Sequence, residues 1–290
     1  RLTMKAIYKK EVKSYLTSMI GYVFIFFILL LEGIYFTAYN LQNAYPLFGT
    51  TLSAITFIFL ILVPVLTMKT IAEERKQKTD QLLLTAPVSV SEIVLAKFLA
   101  VATVYAIPVV IICLYPLIMG KYGTVSYGMA YTAVLGFALL GFAQIAVGVF
   151  WSSVTENPVI AAVVTFIVLF VCYMITGIGS LIPASSMASL ACYMLLVLLA
   201  AVWIYHMIRN LWIAAVIGIA GEAALAITYV VKSTLFEGSI QKFLAVFDIT
   251  SHFDNFTNGI LDLQGVVYFL SVIIIFLVLT VQTITKRRWN

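Results

Sequence analysis

The stretch "MKTIAEERKQKTDQLLLTAPVSVSEIVLAK", residues 68–97, decides how the whole chain reads. It is polar and dense in charge, and the sequence on either side is apolar for tens of residues. Of the 290 residues, 63% are hydrophobic and only 10% are charged. Soluble domains carry about 25% charged residues, because a globule must cover its surface with polar groups. A chain this poor in charge has to face lipid instead. Its apolar runs are continuous rather than alternating, which argues against a β-barrel. The composition therefore predicts an all-α polytopic membrane protein, and residues 68–97 become a short excursion out of the bilayer.

About twenty apolar residues cross a bilayer. Runs of that kind occupy roughly 19–39, 51–69, 93–118, 128–151, 158–182, 187–205, 211–231 and 265–284, which predicts about eight transmembrane helices. The turn at "YHMIRN", Tyr205 to Asn210, is the deciding one. A tight turn there between two crossing helices gives eight spans; a hairpin that does not cross gives six. The first run lacks a small-residue cleavage site and reads as a span rather than a signal peptide.

Charge supports the count. With the N-terminus placed in the cytoplasm and the spans alternating, the cytoplasmic side holds Arg1, Lys5, Lys9, Lys10, Lys13, Lys69, Arg75, Lys76, Lys78, Lys97, Arg209, Lys286, Arg287 and Arg288. The outer side holds only Lys121, Lys232 and Lys242. Fourteen against three, of the 17 basic residues, is the asymmetry of the positive-inside rule. Both termini then lie in the cytoplasm. Cys113, Cys172 and Cys192 sit inside apolar runs and read as small core residues; no metal-ligand spacing is present.

Residues 1–18 have a different pattern. Met4, Ile7, Tyr8, Val12, Tyr15, Leu16 and Met19 recur at three- and four-residue steps, while Lys5, Lys9, Lys10 and Lys13 fall elsewhere on the wheel. That is an amphipathic helix lying in the interface, held by apolar area and anionic lipid rather than by nucleic acid. Residues 232–264 carry two further stripes, Phe236-Ile240-Phe243-Leu244-Phe247 and Phe253-Phe256-Ile260. These are expected on the outer surface as a cap.

Within the charged stretch, the second helix is expected to continue through "TIAEERKQKTDQLLL" until Pro87 ends it. Ser89 and Glu92 have capping-box spacing, so the next helix starts near Val90. Leu82, Leu83 and Leu84 then form an apolar knob rimmed by Glu73, Glu74, Arg75, Lys76, Lys78 and Asp80. A charge run is often only a solvated face. An apolar centre with a charged rim is also how a docking surface is built.

The stretch "EERKQKTDQLLLTAPVSVSEIVLAK" resembles the first cytoplasmic loop of ABC-2-type exporter permeases, through Glu73, Glu74, Arg75, Thr79, Leu82, Leu83, Pro87 and Lys97. "KKEVKSYLTSMIGYVF" looks like the family's interfacial elbow helix, with Lys9, Lys10, Lys13 and Tyr15 in it. "HFDNFTNGILDLQGVVYFLSVIIIFLVLTVQTITKRRW" looks like the C-terminal end of the subgroup that includes gliding-motility-associated permeases. Two departures stand out: many members have Gly where Lys78 stands, and the family core has six spans, so an added pair is implied. The resemblance implies one permease domain over 1–290 in a bacterial cytoplasmic membrane, with a coupling loop at 70–92 that docks on a separate ATPase. Two ATPase subunits and a second permease, identical or related, would complete the complex. No G-x-x-x-x-G-K-[ST] sequence occurs, so this chain is expected to bind no cofactor, with ATP and Mg on the partner.

Three intramembrane polar residues remain. Glu222 lies mid-span among Gly218, Gly221 and Ala224, where an ionisable group is costly and a candidate site, for instance of an ion-coupled secondary transporter. Glu32, nearer the outer end of the first span, is expected to reach water. Gln144 lies between Gly141 and Gly148 on one face, the pattern of a tight helix crossing with an interhelical hydrogen bond. Pro64, Pro108 and Pro116 should kink their helices. No nucleophile–base pair is present, so the chain reads as a transport subunit or a membrane scaffold rather than an enzyme.

Overall fold

The computed structural model describes residues 3–81 and 88–289, all helices and connections with no strand among them. Seven helices are long and apolar enough to cross a membrane: Met19–Gln42, Phe48–Lys76, Val90–Met119, Tyr127–Val154, Pro158–Leu181, Ser186–His206 and Leu263–Arg287. An eighth is reached if Ala215–Val231 and Ser233–Ala245, bent by 116°, count as one span. The chain is a multi-pass membrane protein. It divides into two compact units, 1–171 with 249–290, and 172–248.

The first unit begins with α1 (Met4–Thr17), capped by the Thr3 side chain on the Ala6 N–H. Ile7, Glu11 and Tyr15 form its buried line. Ser18 is extended and separates α1 from α2 (Met19–Tyr35), which continues as a π-helix over Phe36–Gln42. The second span is built in pieces: α3 (Phe48–Ile55), a 3-10 turn (Thr56–Ile58) and α4 (Phe59–Thr67), with Pro64 inside α4. A break at 68–71 follows, and then the short α5 (Ala72–Lys76). The continuous helix expected through this segment is therefore not formed. Lys78 has φ 58°, a left-handed backbone that no helix can pass through. The leucine knob Leu82, Leu83 and Leu84 and the helix stop at Pro87 lie outside the described residues.

After Ser89, α6 (Val90–Ile112) opens with the capping box: Ser89 N–H donates to Glu92 Oε2 at 3.0 Å, and Glu92 N–H to Ser89 Oγ at 3.2 Å. Pro108 lies within α6, whereas Pro116 sits in the first turn of α7 (Tyr115–Met119), a compatible place for it. The long α8 (Tyr127–Val154) is the most deeply buried span. Its small residues let neighbours approach. A Cβ on Gly141 would collide with the Tyr105 ring, and one on Gly148 with Thr67. Tyr105, itself fully buried, donates its hydroxyl to Phe137 O at 2.7 Å. Gln144 is buried between the two glycines, but its Oε1 accepts nothing, so the expected interhelical bond is not made by that atom. The unit closes with α9 (Pro158–Leu181, which runs on into the second unit), α13 (Asp254–Thr257) and α14 (Leu263–Trp289). Phe253 and Phe256 are core residues, while Ile260 is exposed and leaves the stripe assigned to it.

The second unit contains the hairpin of α10 (Ser186–Ile208) and α11 (Leu211–Val231). Arg209, at φ 56°, makes the two-residue turn. Gly218 faces Ala201 and Gly221 faces Val197 across the hairpin. A 3-10 turn (Ser233–Phe236) and α12 (Ser239–Ala245) follow. Phe236 and Ile240 are buried there, but Phe243 and Phe247 are exposed, so only part of that stripe packs.

Candidate functional site

The charged stretch packs within the first unit, where two sets of bonds hold it. The first set centres on Lys97, in the second turn of α6, whose side chain is 2% exposed. Its ammonium donates hydrogen bonds to Glu11 Oε1 and Thr70 O and forms an ion pair with Glu74 Oε2, each at 2.9 Å. An ammonium this buried needs all three. Glu11 comes from α1, Thr70 from the break and Glu74 from α5, so one side chain joins four segments. Lys10 adds a bond to Glu74 Oε1 at 3.2 Å from the exposed side. Tyr15, one turn beyond Glu11, donates to Leu66 O at 3.2 Å and meets Thr70 Oγ1 at 3.0 Å. Burial pushes the Tyr15 phenol well above its ordinary range; the Thr70 hydrogen bond opposes this and the neighbouring Glu11, Glu73 and Glu74 reinforce it. Tyr15 is therefore a neutral donor.

The second set comes from the end of α8. Ser152, fully buried, accepts from both Ile71 N–H and Ala72 N–H at 3.1 Å and donates to Met68 O at 3.1 Å. It thereby satisfies the orphan groups on both sides of the helix break. Arg75 donates to Ser153 O and to Glu156 Oε1, the latter at 3.2 Å. Arg287, near the end of α14, bridges Glu156 and Asp80, both at 3.3 Å. Glu156 and Arg287 are substantially exposed, unlike Lys97. A groove of about 680 Å³ runs between α1 and the stretch, lined by Lys10, Ser14, Lys69, Glu73, Gln77 and Thr79 among others.

Of the residues singled out in the sequence, the fold brings together Glu74, Arg75, Lys10 and Tyr15. Glu73 pairs with Lys69 at 3.6 Å, and Thr79 closes the turn by donating its N–H to Glu74 O at 2.9 Å. Lys9 and Lys13 are exposed and carry no ion pair to the described residues. Leu82, Leu83 and Pro87 lie outside the described residues. The three intramembrane polar residues sit elsewhere. Glu32 is fully buried with both carboxyl oxygens unpartnered, so it does not reach water as expected; the packed face of α2 carries it inward in register with Phe24, Ile28 and Phe36. Glu222 lines a groove of about 630 Å³ between α10 and α11, its oxygens also unpartnered.

Sequence reasoning left Glu11, Ser152 and Glu156 unassigned, placed Asp80 only on the rim of the knob and Arg287 only among the cytoplasmic basic residues, and gave Lys97 no role beyond its place in the family pattern. Two of them had a signal. Glu11 is the one acid on α1, and it falls on the same line as Ile7 and Tyr15. Lys97 is a charge embedded in an apolar helix, which must find partners. Ser152 had none.

No cluster of His, Cys, Asp or Glu among the described residues could hold a metal ion. Comparison with curated proteins and with solved structures gives no match. A family model described as ABC-2 family transporter protein matches residues 5–287. That family normally works with ABC ATPases and supplies the membrane-spanning transport subunit. The match covers almost the whole chain, and with it the chain belongs to the ABC-2 family of transporter permeases.

Proposed function

We propose that the chain is the permease of an ATP-driven exporter and that the stretch 70–92 is the element a separate ATPase pushes. The observation that carries this reading is the Lys97 centre. A solvated charge run needs no buried ammonium, yet here three bonds of 2.9 Å fasten the stretch to α1 and α6. Fastening of that kind lets a force applied outside the membrane reach the spans. Glu73, Glu74, Arg75, Thr79, Leu82, Leu83 and Pro87 form the docking element in this reading, with the α1 lysines Lys9, Lys10 and Lys13 beside it and Tyr15 supporting it. Two ATPases and a second permease copy, or a related permease, complete the machine. ATP and Mg are bound by the ATPases.

The placement of basic residues supports a bacterial cytoplasmic membrane with both termini inside. The C-terminal sequence supports the gliding-motility-associated subgroup. The test is to purify the native complex and identify its companions. An ATPase carrying a phosphate-binding loop is expected, and Leu83→Asp should release it while the permease stays inserted. Normal ATPase content in that variant overturns the docking role.

A second reading rests on Glu222, which lines an apolar groove and whose buried oxygens are unpartnered. It makes the chain an ion-coupled transporter. Transport in liposomes driven by a proton gradient alone, without ATPase, would support it; strict dependence on ATP and an ATPase would remove it.

A further inference from the structure

We infer that α1, the stretch 72–80 and the start of α6 move as one rigid body, with Lys97 as the positioning residue that holds it together. The inference rests on the docking reading for its role in transport, but not for its geometry.

Three observations carry it. The body is internally bonded by its most buried charges: Lys97 to Glu11, Glu74 and Thr70, with Tyr8 Oη and Thr103 Oγ1 at 2.9 Å adding a second tie from α1 to α6. Buried pairs are screened far less by salt than exposed ones and are costly to separate. The body is also bounded by joints. Ser18, at ψ 152°, interrupts the helix between α1 and α2, and the break at 68–71 interrupts it between α4 and α5. No joint separates it from α6, which runs uninterrupted from Val90 to Ile112. Finally, beside the buried bonds of Tyr15 to Leu66 O and of Ser152 to the Ala72 N–H, its ties through the two arginines are of a weaker class. Arg75–Glu156 and Arg287–Asp80 involve exposed partners, and such pairs form and release easily.

The arrangement assigns the parts. A push on the stretch passes directly into α6, and α1 follows because Glu11 shares Lys97 with Glu74. The span α2 is separated from it by the extended Ser18, whereas α4 is tied to it through the Tyr15 bond to Leu66 O and moves with it to the extent that bond holds. Ser152 holds the 68–71 joint as the pivot, and the exposed arginine pairs are the latch that opens. The elbow helix is thus a moving part of the drive, not a fixed anchor.

The experiment uses the full permease with the ATPase that co-purifies with it. Cysteines replace Ser14 on α1 and Gln77 on the stretch, residues that line the same groove and belong to neither bond set. Bridging them with bifunctional maleimides of a single short length should go to completion equally with and without ATP. Bridging that falls tenfold or more in either state would show that α1 and the stretch separate, and would overturn the inference. Spin labels at the same two positions should give one narrow distance, with and without ATP. Lys97→Met should broaden that distance, and Lys97→Arg should restore it. A broad or ATP-dependent distance in the unaltered protein also overturns the inference. If no ATPase co-purifies, the docking reading fails, and the label distances still decide the rigid body.

Discussion

Lys97 Nζ and Glu11 Oε1 lie 2.9 Å apart across 86 positions of sequence, in a site where the lysine is almost wholly shielded from water. Glu74 completes the pair into a triad. Removing the cation alone leaves two carboxylates facing each other with only Lys10 nearby. Lys97→Met is therefore expected to destabilise the protein by about 3–5 kcal/mol, the usual cost of stranding a buried charge. The triple variant Lys97→Met, Glu11→Leu, Glu74→Leu should recover most of that loss, because an apolar triad needs no desolvation. Thermal unfolding of the purified proteins in one detergent measures both. A triple variant no more stable than Lys97→Met would mean that the ion cluster itself, and not its imbalance, carries the stability.

Ser152 is expected to matter more than a serine usually does. Its hydroxyl accepts two backbone N–H groups and donates to one carbonyl, all at the broken end of the second span. Ser152→Ala leaves those three groups unpaired, at a cost of about 2–3 kcal/mol after partial relaxation. Hydrogen exchange tests it locally: the Ile71 and Ala72 amides should exchange at least tenfold faster, while amides in the middle of α8 stay unchanged. Uniform acceleration along α8 would show that Ser152 supports the span rather than the break.

How much of this was legible in the sequence depends on where each partner comes from. The capping box at Ser89 and Glu92 is local, and both of its bonds are present. The apolar runs are also local, and they return as seven helices, or eight with the bent pair. The break at 68–71 was not legible, since its cap is a serine some eighty positions away. Propensity alone favours a helix through Lys-, Glu- and Gln-rich sequence, and the tertiary contact overrides it. Glu32 was misread for a related reason. Its depth along the span was inferred, but its side of the helix was not, and the line through Phe24, Ile28 and Phe36 points it inward.

The exposed latch and the buried strut should separate under salt. Arg287→Ala removes pairs with Asp80 and Glu156 whose partners are water-accessible, and is expected to cost less than about 1 kcal/mol. That small effect should vanish at about 1 M salt, where the screening length is near 3 Å, whereas the Lys97→Met effect should persist. Unfolding midpoints of both variants across a salt series decide this. Equal salt sensitivity would place Lys97 in contact with bulk solvent.

Lys78 offers the last prediction, because its backbone is at odds with its side chain. At φ 58° it occupies the left-handed region, which costs a residue with a Cβ about 1–2 kcal/mol and costs glycine nothing. Lys78 lies two residues beyond the end of α5, and Thr79 then closes the turn on Glu74 O. Glycine at 78 gains the relief of strain but loses through the greater freedom of the unfolded chain, so Lys78→Gly should stabilise by a net of about 0.5–1 kcal/mol. Lys78→Val should act in the opposite direction by about 1–2 kcal/mol, since a β-branched side chain fits this backbone worst. Opposite shifts of the unfolding midpoint confirm a left-handed turn at this position. If valine and glycine shift it the same way, residue 78 does not hold that conformation, and the helix runs on past Lys76 after all.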